Sequence, residues 1–139
     1  MTLNPYLNFD GNAEEAFRFY QTVFGGELHI QKMSEAPGTE NLPEAEKSRT
    51  MHVGLPIGNG QFLMASDILP SLGHVLHVGN NNYISVTPDN REEADRIFNG
   101  LSAGGVVEMA MADMFWGDYF GSFTDKFGVK WMINVPSSK

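Results

Sequence analysis

A chain of 139 residues with 42% hydrophobic content, ten Phe and eight Met can build one compact domain, or two small modules that share a core. Its net charge of −8 argues against nucleic acid or an anionic membrane as a partner. There is no cysteine, which excludes disulfides, thiolate catalysis, iron–sulfur clusters and Cys-type zinc sites together.

In chain order, residues 3–9 read as a strand. Asn12 is placed to cap a helix, with Glu15 at the third helical position completing a capping box. Ala13, Ala16, Phe17, Tyr20, Val23 and Phe24 then fall on one apolar stripe, and Gly25-Gly26 stops the helix. A second strand follows over 27–33. Residues 34–50 change character, with two Pro, one Gly and four Glu, and read as a mobile acidic surface loop, either a lid or a variable insertion.

Met51, Val53, Leu55 and Ile57 alternate with smaller or polar residues, the pattern of a half-buried strand whose apolar side meets the helix. Asn59-Gly60 is a two-residue hairpin signal leading back through 61–67. After a connection over 68–82, the pattern restarts with a strand at 83–87 and a helix at 90–103. Strands at 106–112, 119–124 and 130–135 complete it.

The restart is literal. Asn12-Ala13-Glu14-Glu15-Ala16-Phe17-Arg18 returns 78 positions later (12 to 90) as Asn90-Arg91-Glu92-Glu93-Ala94-Asp95-Arg96, each copy after a strand and before a Gly pair. The expectation is an α+β protein of tandem βαβββ modules, 1–67 and 83–139, joined by 68–82 within one compact domain. The helix covers one face of each sheet, and two curled mixed sheets facing each other enclose a central cup.

At this point the sequence resembles the vicinal oxygen chelate superfamily, which includes glyoxalase I, extradiol dioxygenases and bleomycin-resistance proteins. The Asp125-Lys126-Phe127-Gly128 turn before an apolar strand is similar to that superfamily's final hairpin. The stretches 5–16, 64–67 (Met-Ala-Ser-Asp), 115–118 (Phe-Trp-Gly-Asp) and 127–134 resemble its PhnB-like branch. That branch carries the label 3-demethylubiquinone 3-methyltransferase. Methyl transfer needs a site for S-adenosylmethionine, commonly a Gly-rich strand-to-helix turn, and the one candidate, Gly58-Asn59-Gly60, lies between two strands.

The resemblance also implies where a divalent metal would sit. Metal enzymes of the superfamily draw His and Glu from the first and last strands of each module, here near Pro5 to Leu7, Asn81 to Tyr83, Met64 and Met132. None of those positions is His, Glu or Asp, so no metal or other cofactor is expected.

Of the four histidines, His74 and His77 fall in the connection and read as exposed loop residues, and His29 has no identifiable partner. His52 alternates with the helix-packed residues and so faces the cup, where an imidazole can bind ligand or transfer protons. The same alternation puts Tyr83, Ser85, Met132 and Asn134 on the cup side, with Lys130 near its rim, and gives Met64 and Ser66 a shared face. Trp116 is a candidate aromatic wall with Asp118 beside it, and Tyr6 joins the candidate ligand-binding set. Glu14, Glu15, Glu92 and Glu93 sit at helix starts, where they offset the dipole.

Three functional readings stand: a metal-independent small-molecule-binding protein, an enzyme using His52 as acid or base or, as the lesser alternative, a divalent metal, and a domain whose cup is filled by its own side chains. Bleomycin-resistance proteins sequester ligands without chemistry, and the negative charge suits a cationic guest. No apolar run approaches the roughly 18 residues of a membrane span, and the first residues lack signal-peptide features. A soluble cytoplasmic protein is therefore expected, and the resemblance implies a homodimer.

Overall fold

The computed structural model describes residues 1–137. The chain divides into two units, residues 1–77 and a second from Val78 onward. The first holds strand β1 (Tyr6–Phe9), helix α1 (Ala13–Phe24), β2 (His29–Lys32), the short helix α2 (Glu44–Lys47), β3 (Thr50–Gly58) and β4 (Gln61–Asp67). The second holds β5 (Ile84–Val86), α3 (Arg91–Ser102), β6 (Val106–Asp113), β7 (Tyr119–Thr124) and β8 (Lys130–Val135). Each unit has one four-stranded mixed sheet, ordered β1-β4-β3-β2 and β5-β8-β7-β6. In both, the first strand runs parallel to the last and the remaining pairs are antiparallel.

Helix α1 forms where the apolar stripe predicts it. Ala13, Ala16, Phe17, Tyr20 and Val23 are all buried and pack on β3 and β4, opposite Val53, Leu55, Leu63 and Ala65. Phe17 meets Phe9 edge-on at 6.3 Å and Tyr20 at 5.3 Å. A fully buried side chain of this size contributes about 1.5–3 kcal/mol, so this layer dominates the stability of the unit. The hairpin between β3 and β4 turns on Asn59 and Gly60, whose φ angles of 55° and 75° are the two positive values a type I′ turn requires.

The start of α1 departs from expectation. Asn12 makes no side-chain cap. The first helical amide, and one just ahead of the helix, are instead bonded from β4. Asp67 Oδ1 accepts from Gly11 N at 2.9 Å and Ala13 N at 3.0 Å, and Oδ2 accepts from Thr50 N at 2.8 Å. Only the second copy of the motif caps itself, Asn90 Oδ1 accepting from Glu93 N at 2.8 Å. Both Asn residues precede the same pair of glutamates and an alanine at the same spacing, and at the first helix a carboxylate from β4 bonds the helix start instead.

Two other expectations are corrected. Ile57 lies past the helix and is 37% exposed, so the buried alternation of β3 ends at Leu55. The acidic segment is built rather than loose. A 3-10 turn (Met33–Glu35) and α2 interrupt it, Met33 is buried with its N–H on Arg49 O, and Ser71 Oγ donates to the buried Glu46 at 2.7 Å.

In the second unit Ala94, Ile97, Phe98 and Leu101 of α3 pack on Phe123, Trp131 and Ile133. Asp125, also buried, accepts from Phe127 N, Val129 N and the Trp131 indole at 2.8–3.0 Å, fixing the β7–β8 turn and the largest core side chain together.

Removing the carboxylate in Asp67→Ala strands three main-chain donors and is expected to cost about 3–5 kcal/mol in urea unfolding. Asn90→Ala should cost about 1 kcal/mol and Asn12→Ala less than about 0.5 kcal/mol, a difference that equal capping by the two Asn residues would erase.

Candidate functional site

Because strand residues alternate, the inward placement of Leu63, Ala65 and Asp67 turns Phe62, Met64 and Ser66 to the helix-free face of the first sheet. Tyr6 pairs with Met64 and Asn8 with Ser66 across the parallel ladder, while Gly54 of β3 pairs with Met64 from the other side. His52, two residues from Gly54, shares this face. Tyr6, His52, Met64 and Ser66 therefore share this face; alternation in the sequence turned His52 away from the helix and set Met64 with Ser66, but did not place Tyr6.

The contact that organises them is polar. Tyr6 Oη lies 3.2 Å from His52 Nδ1, with the rings 5.8 Å apart and tilted. His52 Nε2 lies over the bare backbone of Gly54, 3.5 Å from where a Cβ would stand, with Met64 Cγ at 4.0 Å from the same point. Among the described residues nothing bonds to that nitrogen. A phenol can donate to or accept from an imidazole nitrogen, so this contact holds the ring in place and leaves Nε2 as the other polar atom of the ring.

The second sheet carries a different constellation. Tyr83, just ahead of β5, donates to Glu108 Oε1 at 2.8 Å. Glu108 Oε2 also accepts from Lys130 and from Thr124 Oγ1, and Lys130 sits 5.3 Å from the Tyr83 ring centroid. One residue at or beside each of the four strands thus joins a closed network. Lys130, and then Tyr83, hold the Glu108 carboxyl below its usual range, and Glu108 in turn pushes both the Tyr83 phenol and the Lys130 ammonium up.

Ser85 stands directly across from Met132. Asn134 lies further along β8 and donates to Asp118 at 3.1 Å. Asp118 also accepts from Ser137 N, and these bonds, the main-chain one first, hold its carboxyl below the ordinary range. Trp116 is 52% exposed in the β6–β7 turn, edge-on to Phe115 at 4.9 Å. The second-unit candidates therefore separate into the Tyr83–Lys130 network, the Ser85–Met132 pair and the Trp116–Asp118–Asn134 end.

Sequence reasoning missed Glu108, Thr124 and His29. Glu108 sits in a register shift between Val107 and Met109, where period-two parity fails. His29 is on a four-residue strand, too short for alternation to be read. His74 is also more than an exposed loop residue: its Nδ1 accepts from Leu69 N at 3.0 Å and closes the turn after β4.

The stretches where the superfamily resemblance would put metal ligands are Pro5 to Leu7, Asn81 to Tyr83, and the neighbourhoods of Met64 and Met132. The residues named there offer no imidazole or carboxylate, the donors a hard or borderline divalent ion needs. Among the described residues no three His, Cys, Asp or Glu side chains converge to hold one.

Two tandem βαβββ units, each with a parallel first and last strand, define the glyoxalase/bleomycin-resistance fold. The same fold is shared, at 18% identity and a TM-score of 0.54, by a glyoxalase/bleomycin resistance protein/dioxygenase family enzyme from Burkholderia phytofirmans, the alignment covering 94% of this chain and 95% of that one. Within the fold, residues 1–134 match the family model described as 3-demethylubiquinone-9 3-methyltransferase, and the chain belongs to that PhnB-like family. It is 39% identical to Protein YjdN of Escherichia coli K12, over 97% of this chain and 95% of that protein. It is 37% identical to protein PA1353 from Pseudomonas aeruginosa, with a TM-score of 0.86 and 99% of each chain covered. A Bacillus cereus PhnB protein, a putative 3-demethylubiquinone-9 3-methyltransferase, follows at 25% identity and a TM-score of 0.73, over 98% of this chain and all of that one.

The family description names a chemistry, and the strand-to-helix turn of the first unit bears on it. The amides there that could cradle a cofactor, Gly11 and Ala13, are already bonded to Asp67. No helix among the described residues is long and apolar enough to cross a membrane.

Because Glu108 opposes ionisation of Tyr83, Glu108→Gln is expected to lower the Tyr83 titration toward an ordinary phenol. The tyrosinate absorbance, referenced to a Tyr83→Phe variant, reads this directly; an unmoved titration would mean that the network does not form in solution.

Proposed function

We propose that this protein binds a small organic molecule, without a metal, on the helix-free face of its first sheet, through Tyr6, His52, Met64 and Ser66. The observation that carries the reading is the Tyr6–His52 contact. It sets an oriented imidazole over bare backbone at Gly54, on the side of the sheet that α1 does not cover. Met64 supplies an adaptable apolar surface beside it, and Ser66 a hydroxyl. Tyr83, Ser85 and Met132 offer corresponding positions on the second sheet, with Trp116, Asp118 and Asn134 at one end. Membership of a fold whose members bind small molecules supports the reading. Homodimeric assembly and a cytoplasmic location belong to the same proposal, the first by analogy with the superfamily.

A second reading rests on the same contact. With Nδ1–H donating to Tyr6, His52 Nε2 presents a lone pair and acts as a general base, or as an acid once protonated.

A thermal-shift screen of metal-stripped and untreated protein against small metabolites tests both. Binding predicts a shift of several degrees with one chemical class, unchanged by metal removal and reduced in Tyr6→Phe and His52→Ala. If His52→Ala abolishes turnover of that compound while its binding persists, the catalytic reading replaces the first. A shift confined to divalent metals, or none with any class, overturns the proposal.

A further inference from the structure

The polar groups on the helix-free face of the first sheet are Tyr6, Asn8, His29, Gln31, His52 and Ser66. Every one can donate a hydrogen bond. None of the strand residues on this face is Asp or Glu, although the chain contains seventeen acidic residues.

Two of the donors border one spot. His29 is the cross-strand partner of Gly54, and His52 Nε2 lies 3.5 Å from where a Gly54 Cβ would be. Directly opposed residues share a face, so His29 lies on the same face as Gly54, which is buried beneath the His52 ring and Met64. The Tyr6 phenol can donate to or accept from His52 Nδ1. Where it donates, the proton of a neutral imidazole resides on Nε2.

Building on the reading that this face is the ligand site, we infer that the ligand carries an anionic oxygen group, carboxylate or phosphoryl, held between His29 and His52. Imidazole N–H groups form short, strong bonds to such oxygens, and stronger ones when the ring is charged. The net charge of the chain points to a cationic guest, but charges beyond a Debye length of about 8 Å are largely screened, and the local face decides.

The test is an NMR titration of the full chain with inorganic phosphate and, separately, acetate, reading the backbone amides and the imidazole nitrogens. Saturable shifts are expected at His29, His52 and Gly54, stronger with phosphate for a phosphoryl ligand and with acetate for a carboxylate. His29→Gln or His52→Gln should each weaken binding at least about tenfold, the loss of one charge-assisted bond. The variant His77→Gln, an exposed residue of the connection, should bind as the parent does. Before anion is added, His52 should be the Nε2–H tautomer. Absence of saturation by both anions, binding indifferent to His29, loss in His77→Gln, or an Nδ1–H tautomer overturns the inference. Neutral or cationic compounds that shift Tyr6 and Met64 where the anions fail would leave the binding site standing and remove only its anionic ligand. A face unmoved by every compound removes both.

Discussion

The carboxylate of Asp67 accepts from three main-chain amides, and no other side chain reaches so many parts of the first unit. It joins the turn after β1, the first turn of α1, the start of β3 and the end of β4. Asp67 is 4% exposed, so these bonds form away from competing water, and the negative charge lies at the positive end of a helix dipole. Its direction also orients the site. With Asp67 inward and paired to Phe9, alternation sends Ser66, Met64 and Tyr6 to the opposite face. A slip of one residue between β1 and β4 would exchange the two faces and bury the candidate ligand residues beneath α1.

The second unit reaches the same architecture by another route. Its buried aspartate, Asp125, holds a turn and the Trp131 indole rather than a helix start, and α3 relies on its own Asn90. The helix-free faces have diverged with it. In the first, a tyrosine meets an imidazole and no charged strand residue lies nearby. In the second, the tyrosine at the matching place meets a carboxylate that is itself paired with Lys130. The two units share a backbone plan that rests on apolar burial, and differ in the polar residues of their helix-free faces.

Much of this was legible in the linear chain because two periodicities carry it. The stripe of α1 at spacing 3.6 and the alternation in β3, β4 and β8 placed Val53, Leu55, Trp131 and Ile133 inward, and His52, Met64 and Met132 on the other face, without reference to any partner. The Asn59-Gly60 turn was equally local, since its backbone angles depend on the two residues themselves. What alternation could not reach were the places where it is broken or too brief: Glu108 in its register shift, His29 on four residues of strand, and the acidic segment held by Met33 and Glu46.

The sequence by itself thus determined the element order, the duplication and the direction of most strand side chains, because these follow from burying apolar residues at fixed spacing. Tertiary structure decided which polar groups meet. Asn12 and Asn90 share a local motif, yet only one caps its helix. Tyr6 and His52 lie 46 residues apart, and a bond between them exists only because β1 and β3 flank β4 in this register. Hydrogen bonds act over about 3 Å, a distance that no spacing along the chain encodes.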